Sequence, residues 1–286
     1  MLRNTFCHIP GIGLQSEKRI WSSGLHSWEE LLEGTSAKLP FSRSRLLSLQ
    51  KQVEQSMEQL QQNRPDYFSE LLPAAHQWRL FAEFQHQTAY LDIETTGMGS
   101  FNDHITTIAL FDGKSIFYYV KGQNLNNFKE QIKNYRLLVT YNGKCFDIPF
   151  IRNSLGIDMD QAHIDLRYVL ANLGYRGGLK GCEKQLGMDR GELDGIDGYF
   201  AVLLWHDYLK KKNQRALETL LAYNIQDVVS LERLMILAYN LKLQETPFSQ
   251  SHELTIPETV AVPFEADTAT IERIRREYGY IDVGYQ

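Results

Sequence analysis

Two carboxylates placed two positions apart, Asp92 and Glu94, interrupt an otherwise apolar run at 90–94. Because side chains alternate along a strand, both carboxylates would face the same side of a sheet. Two negative charges held this close need compensation, and a divalent cation with oxygen ligands is the usual source. A solvated face of an edge strand would also carry such a pair. The small residues that follow at 95–97 would let a ligand approach where the strand ends.

A third carboxylate, Asp147, follows a second strand-like run that ends at Asn142-Gly143. An Asp at this point suits the start of a helix that we predict to begin near Phe146, because backbone N–H groups and the helix dipole favour a carboxylate there. The end of a strand is equally suitable for a metal ligand. Helix capping and metal binding therefore both remain open for Asp147.

A phenol and a fourth carboxylate, Tyr223 and Asp227, lie four residues apart in a long helical pattern over 215–241. This spacing places both side chains on one face of the helix. Apolar neighbours such as Leu220 and Val228 also allow the simpler interpretation, in which the tyrosine is a core residue and the aspartate a surface one.

The elements around these residues follow from periodicity and turn signals. Strand-like runs cover 88–94, 104–111, 115–120, 137–141 and 163–166, and helical patterns cover 125–134, a segment from 146, 179–186, 198–211 and 215–241. Asp112-Gly113 predicts a hairpin between the second and third strands. A meander followed by strands alternating with helices predicts an α/β fold with a mixed sheet that is partly parallel.

The first 73 residues form a separate helical pattern with three amphipathic helices. Its opening, at 8–13 and 16–25, resembles a helix-hairpin-helix element, in which glycines let the backbone approach a phosphate at a helix N-terminus. A plain turn between packed helices and a protein docking unit are the alternatives. We expect a helical domain at 1–73, an α/β domain at 74–245 and a polar tail at 246–286.

Length and composition exclude several classes of protein. A chain of 286 residues with 43% hydrophobic and 23% charged residues is typical of a globular protein of about two domains. The longest apolar run, 199–205, is far shorter than the ~20 residues that span a bilayer, and the N-terminus lacks the apolar stretch of a signal peptide. Three cysteines without a C-x-x-C pair suggest neither a disulfide scaffold nor a thiolate zinc site. We expect a cytoplasmic protein with no membrane partner.

The formal net charge is −5, which provides no overall attraction for nucleic acid. A polyanionic partner would have to be held by local patches of basic residues or by metal ions.

The order and local spacing of the four carboxylates and the tyrosine resemble those of the DEDD exonucleases of the ribonuclease H-like fold. The similarity to the bacterial YprB-type predicted exonucleases extends over about 78–240, and its motifs lie at 91–97, 141–149, 163–166, 178–180 and 223–228. A tyrosine at 223, with Ala222 where a histidine would stand, implies the tyrosine branch of the family, DEDDy.

This resemblance implies a ribonuclease H-like fold, a mixed five-stranded sheet flanked by helices, and a metal-dependent 3′–5′ exonuclease. Two divalent ions would be held by the carboxylates, with Asp92 bridging both, Glu94 and Asp227 completing the first site and Asp147 holding the second. Oxygen-only ligation favours Mg²⁺ or Mn²⁺ over zinc. Tyr223 would position the attacking water, since a free tyrosine, with a pKa near 10, is a poor base at neutral pH.

The substrate would be nucleic acid, DNA or RNA, with a single-stranded end. The resemblance and the local sequence suggest substrate contacts from Thr95, Thr96, Asn142, Lys144 and Lys180. Two alternatives remain: a structure-specific endonuclease of the same fold, and a catalytically inactive nucleic-acid-binding module. The presence of all four carboxylates argues against the second.

Overall fold

A five-stranded mixed sheet forms the centre of the computed structural model, which describes residues 1–34, 41–98, 100, 102–188, 190–193 and 195–279. The strand order is β3-β2-β1-β4-β5, with β1–β2 and β2–β3 antiparallel and β1–β4 and β4–β5 parallel. The strands are β1 (Thr88–Thr95), β2 (Ile105–Phe111), β3 (Ile116–Val120), β4 (Leu137–Thr140) and β5 (Ala162–Asp165). The mixed sheet confirms the predicted α/β class and the ribonuclease H-like arrangement.

The turn between β2 and β3 has the predicted hairpin chemistry. Gly113 takes a φ of +85°, which a residue without a Cβ adopts at little cost. The Asp112 carboxylate accepts hydrogen bonds from the backbone N–H groups of Lys114 and Ser115, at 3.0 and 2.7 Å. This side-chain cap fixes the register of the two antiparallel strands.

The N-terminal part is helical, as predicted, but the described residues up to 73 contain four α-helices instead of three, after a 3₁₀ turn at Leu2–Asn4. They are α1 (Leu14–Ser22), α2 (Trp28–Glu33), α3 (Arg43–Gln61) and α4 (Pro65–Leu71), followed by a 3₁₀ helix (Ala74–Leu80) and the single turn α5 (Phe81–Phe84). Asn63, with a φ of +56°, ends α3, and Pro65 begins α4 as its first residue.

Helices cover both faces of the sheet. They are α6 (Phe128–Gln131), α7 (Asp147–Leu155), α8 (Leu166–Asn172), α9 (Gly178–Gln185), α10 (Gly198–Lys211) and α11 (Gln214–Leu243), with α12 (Thr268–Tyr278) near the C-terminus. The alternation of β1 divides its side chains between the faces. Leu91 and Ile93 join a core cluster with Phe128 and Ile151 of α6 and α7, whereas α10 and α11 pack against β1 from the other side.

A buried ion pair joins the N-terminal helices to the 3₁₀ helix that precedes the sheet. Arg79 donates to both oxygens of Glu17 at 2.8 Å, and the two side chains are 4% and 1% exposed. Glu17 also accepts from the backbone N–H of Phe6 at 2.7 Å. One hydrophobic cluster continues from Phe6 through Trp78 to Tyr239 on α11. The chain on both sides of residue 73 therefore contributes to one hydrophobic core. The domain boundary at residue 73 stays a prediction.

The segment after α11 also packs against the rest of the chain. The ring of Phe248 meets the Trp21 indole edge-on, with centroids 5.4 Å apart. On α12, Arg273 donates to both carboxylate oxygens of Asp207 on α10, at 2.9 and 2.6 Å. Among the described residues, no helix is both long enough and apolar enough to cross a membrane.

Candidate active site

Three carboxylates, Asp92, Glu94 and Asp227, meet where α11 crosses β1. Each offers one oxygen, and these oxygens lie within 4.8 Å of one another. The strand alternation turns Asp92 and Glu94 to the side of the sheet that α11 covers, and Asp227 faces them from the helix. The sequence predicted this grouping.

The charges of this carboxylate cluster are strongly unfavourable in the absence of a cation. Burial raises the pKa of Asp92 well above its usual range, and the negative charges of Asp147 and Asp227 raise it further. Burial likewise raises the pKa of Glu94, with Asp227 again adding to the effect. A hard divalent cation bound by carboxylate oxygens relieves both the burial and the repulsion, so the donor set fits Mg²⁺ or Mn²⁺.

Asp147 lies beside this cluster at the first position of α7. Its Oδ1 accepts a hydrogen bond from the backbone N–H of Ile93 on β1, at 3.2 Å. Burial raises the pKa of this carboxyl to about 7, although the hydrogen bonds from the backbone oppose the shift. Phe146 is the N-cap residue of α7, so the carboxylate of Asp147 links the helix to β1 instead of serving as the N-cap.

Tyr223 is buried on α11, one turn before Asp227. Burial raises the pKa of its phenol well above 10, and the charges of Asp227 and Glu94 add to this shift. The phenol therefore stays protonated at neutral pH in the metal-free protein, which suits a hydrogen-bond donor.

Asn224, the next residue on α11, was missed by sequence reasoning. Its Nδ2 donates to Asp92 Oδ2 at 2.7 Å, and its Oδ1 accepts from the Thr107 hydroxyl on β2 at 3.0 Å. The sequence signal for Asn224 is its position next to Tyr223 in the motif. That position does not indicate that Asn224 contacts Asp92 on β1 and Thr107 on β2.

Two cations flank the ring of Tyr223. The Arg190 guanidinium carbon lies 5.7 Å from the ring centroid and the Lys180 ammonium 4.6 Å from it. Arg190 forms an ion pair with Asp227 through Nη2 and donates through Nη1 to Glu183 Oε2 at 2.5 Å. The Lys180 ammonium is buried and has no hydrogen-bond partner among the described residues.

Arg190 is a second residue of the site that sequence reasoning did not predict. Burial disfavours its charged form, but the attraction of Asp227 and Glu183 outweighs burial and raises its pKa. Glu183 is itself fixed by the hydroxyl of Ser230, at 2.5 Å. Arg190 stands in no recognisable motif, so the sequence gives no signal for its place in the site.

The side chains of Thr95 and Thr96 are used inside the loop that follows β1. Thr95 Oγ1 donates to the carbonyl of Gly97 at 2.6 Å, and Thr96 Oγ1 accepts from the backbone N–H of His104 at 3.0 Å. Gly97 packs closely against Asp103, because an added Cβ would lie 2.4 Å from Asp103 Oδ1 and would force that side chain to move. These contacts position the loop at the edge of the site.

Asn142 and Lys144 shape the turn after β4. The Asp165 carboxylate accepts from the backbone N–H groups of Asn142 and Lys144, at 2.7 and 3.1 Å, and Asn142 takes a φ of +67°. The Asn142 side chain accepts from Arg167 at 2.5 Å, and the Lys144 ammonium donates to Gln77 at 2.6 Å. Of the five predicted substrate-binding residues, all of them described, Lys180 is the one whose side chain contacts the ring of Tyr223.

Comparison with known proteins gives one match to a family model, described as the RNase_H superfamily, over residues 89–239. This range contains all five strands except the first residue of β1, Thr88, and all four carboxylates. Among solved structures, the chain is similar to the family B DNA polymerase of the hyperthermophilic archaeon Pyrobaculum calidifontis, with 18% identity and a TM-score of 0.43. The similarity covers 59% of this chain and 27% of the polymerase chain. The curated proteins contain no match.

Proposed function

This chain belongs to the RNase H superfamily, and we propose that within it the chain acts as a metal-dependent 3′–5′ exonuclease on nucleic acid. The observation that carries the proposal is the cluster of half-buried Asp92 with buried Glu94 and Asp227, whose oxygens lie within 4.8 Å of one another. Carboxylates held this close together lower the stability of the folded protein when no cation is bound. They suit phosphodiester hydrolysis that is assisted by divalent ions.

Each carboxylate has a place in this proposal. Asp92, Glu94 and Asp227 would hold one Mg²⁺ or Mn²⁺ ion, and Asp147, with Asp92, would hold a second. Bound divalent ions supply charge neutralisation and an activated water for in-line attack on phosphorus. Asn224 orients Asp92 through the hydrogen bond at 2.7 Å, a type of outer contact that fixes a ligand in its binding orientation.

The remaining polar groups bind or orient the substrate. The Tyr223 phenol, which stays protonated, donates a hydrogen bond to the attacking water or to a phosphate oxygen. The Lys180 ammonium, buried without a hydrogen-bond partner among the described residues, is available to a phosphate oxygen. Thr95, Thr96, Asn142 and Lys144 stay predictions as substrate contacts.

The direction of cleavage, the DEDDy subtype and the single-stranded end rest on the resemblance of the motifs around Asp92, Asp147 and Asp227 to the YprB-type predicted exonucleases. Tyr223 supports the subtype, because it lies one helical turn before Asp227 and borders the carboxylate cluster.

The helical segment 1–73 is proposed as a substrate- or partner-contacting unit beside the nuclease domain 74–245 and the tail 246–286. Gly11, with a φ of +80°, and Gly13, the N-cap of α1, have the turn that a helix-hairpin-helix-like element needs. Residues of this segment share a hydrophobic cluster with Trp78 and Tyr239.

Degradation of 5′-labelled single-stranded DNA and RNA tests the proposal. Purified protein is incubated with Mg²⁺, Mn²⁺ or EDTA, beside Asp227→Asn and the control Glu130→Gln, whose carboxylate is 79% exposed and outside the site. We expect a ladder that shortens from the 3′ end with wild type and with the control, and intact substrate with EDTA or with Asp227→Asn.

Two outcomes contradict the exonuclease proposal. Cleavage of circular or 3′-blocked substrates would support the endonuclease alternative. Intact substrates with wild type in both metals, together with equal binding by wild type and Asp227→Asn, would support a binding module without catalytic activity.

A further inference from the structure

We infer that Arg190 is a phosphate-binding residue that Asp227 holds in the metal-free protein, and that a divalent ion releases it to the substrate. The inference rests on the proposed function, because it concerns the same carboxylates. It adds a residue that the motifs do not contain, and it assigns this residue two successive partners.

The first step in the argument is that Arg190 has two anionic partners. Its Nη2 pairs with Asp227 and its Nη1 donates to Glu183 at 2.5 Å. The side chain is only 5% exposed, so both ion pairs are shielded from water. Charge-assisted hydrogen bonds of this kind are stronger than neutral ones.

The second step is a conflict over Asp227. The same carboxylate lies within 4.8 Å of the oxygens of Asp92 and Glu94 and pairs with Arg190. A guanidinium and a divalent cation repel each other strongly at such distances in a buried site. Arg190 therefore occupies Oδ1 of Asp227, and a divalent ion that binds this oxygen displaces it.

The third step is that Arg190 stays in the site after this separation. Glu183 is 1% exposed and is fixed by the Ser230 hydroxyl at 2.5 Å, so it retains Nη1. The released Nη2 is then a buried donor without a partner, which is costly until an anion reaches it. An incoming phosphate oxygen supplies that anion.

The fourth step is the position of Lys180. Its ammonium and the Arg190 guanidinium both lie over the Tyr223 ring, at 4.6 and 5.7 Å from the centroid. The ammonium lacks a hydrogen-bond partner among the described residues. Two cations at one ring beside the carboxylates form a suitable site for the phosphate of a phosphodiester.

Formal charges agree with this arrangement. Among the described residues, those that form or border the site contribute the carboxylates of Asp92, Glu94, Asp147, Glu183 and Asp227 and the cations of Lys180 and Arg190. Their net charge is −3, and two divalent ions bring it to +1. One phosphodiester group then makes the loaded site neutral, with Arg190 retained.

Metal binding and nucleotide binding must respond in opposite directions to loss of the Arg190 charge. Mn²⁺ affinity is measured by electron paramagnetic resonance without nucleic acid, and affinity for a non-hydrolysable phosphorothioate dinucleotide is measured with Mg²⁺ present. For Arg190→Gln we expect Mn²⁺ to bind on the order of tenfold more tightly, since a repelling charge is gone. We expect the dinucleotide to bind on the order of tenfold more weakly, since a charge-assisted contact is gone.

The controls separate charge from general damage. Arg190→Lys keeps the charge and should keep a Mn²⁺ affinity close to that of wild type. Arg64→Gln removes an arginine that is 51% exposed and pairs with Asp66, outside the site, and should change neither affinity. A wild type that binds no Mn²⁺ contradicts the proposed function itself. A wild type that binds Mn²⁺ while Arg190→Gln binds it no more tightly contradicts this inference alone.

A measurement on wild type keeps the inference testable if Arg190→Gln does not fold. The ¹⁵N-labelled arginine side chains are followed by NMR during titration with Mg²⁺ and then with the phosphorothioate dinucleotide, with Arg190 assigned from Arg190→Lys. We expect the Arg190 resonance to shift in both steps. An Arg190 resonance that stays unchanged while the protein saturates with Mg²⁺ would overturn the inference.

Discussion

Asn224 on α11 donates a hydrogen bond to Asp92 on β1 at 2.7 Å, across 132 residues of sequence. The same asparagine accepts from Thr107 on β2 at 3.0 Å, so both ends of its amide are fixed. Oδ2 of Asp92 is thereby held by α11 directly and by β2 through the Asn224 amide.

Replacing Asn224 by Ala should weaken Mn²⁺ binding and nuclease activity by about 10- to 100-fold, the usual effect of removing a group that orients a metal ligand. Thr107→Val should have a smaller effect, because the amide keeps its bond to Asp92. Mn²⁺ titration and substrate degradation check both variants. An Asn224→Ala protein with the metal affinity of wild type would show that Asp92 needs no such support.

Replacing Tyr223 by Phe should lower the turnover rate by about 100- to 1000-fold through loss of one hydrogen-bond donor. The Mn²⁺ affinity should stay unchanged, because the phenol is not a metal ligand in our proposal. Tyr239→Phe is a matched control, since that tyrosine is also buried on α11 and its hydroxyl has no partner among the described residues. Equal turnover rates for both variants would remove Tyr223 from the mechanism.

Replacing Asp92 by Asn should stabilise the metal-free protein by about 1 to 2 kcal/mol, as substitutions at strained functional sites often do. The reason is that burial and the neighbouring carboxylates raise the pKa of Asp92, so its ionised form opposes folding. Thermal unfolding in EDTA measures this gain. Added Mn²⁺ should raise the midpoint of wild type and leave that of Asp92→Asn unchanged. A variant less stable than wild type in EDTA would contradict the expectation.

Replacing Arg79 by Met should lower the free energy of unfolding by about 3 to 5 kcal/mol, because Glu17 would then be a buried and unpaired charge. The double variant Glu17→Gln, Arg79→Met should recover part of this loss. Arg64→Met breaks an ion pair in which the arginine is 51% exposed and should cost less than about 1 kcal/mol. Urea titration gives all three values, and equal losses for Arg79→Met and Arg64→Met would refute the argument.

The dependence of the unfolding free energy on pH should show that His8 is buried as a neutral imidazole. Burial lowers the pKa of this histidine to about 3, and the charge of Arg79 lowers it further. In the unfolded chain the imidazole takes up its proton near pH 6.5, so lowering the pH from there towards 3 favours the unfolded state. His8→Gln should therefore reduce the slope of unfolding free energy against pH by up to about 1.4 kcal/mol per unit around pH 5.

His86→Gln is the matched control for this pH experiment, because His86 is exposed. It should leave the slope unchanged. Urea titrations between about pH 4.5 and 7.5 supply the slopes, and an identical slope for wild type and His8→Gln would show that His8 is accessible to protons in the folded chain.

The sequence predicts the sheet well because alternation, strand ends and the Asp112-Gly113 turn are local signals. It also predicts that Asp92 and Glu94 meet Asp227, because order and spacing along the chain match a known arrangement. Asn224 and Arg190 could not be predicted. The Asn224 contacts depend on how α11 packs against the sheet, and the Arg190 contacts depend on how the residues after α9 pack against α9 and α11. That information is absent from any short window of sequence.

The predicted substrate contacts illustrate a different limit. Small polar residues such as Thr95 and Thr96 satisfy the nearest backbone groups before any ligand is present. Lys144 likewise reaches Gln77, a partner on the 3₁₀ helix before β1. Sequence position places these residues near the site. The folded chain shows which of their side-chain groups already form hydrogen bonds within the protein.

The distance along the chain between β1 and α11 governs when the site appears during protein synthesis. At about 5 to 20 residues per second, the ribosome needs roughly 7 to 26 s to add the 132 residues that separate Asp92 from Asn224. Until α11 has emerged, β1 carries Asp92 and Glu94 without Asp227, Asn224 or Tyr223. Until then, a nascent chain has no assembled carboxylate cluster.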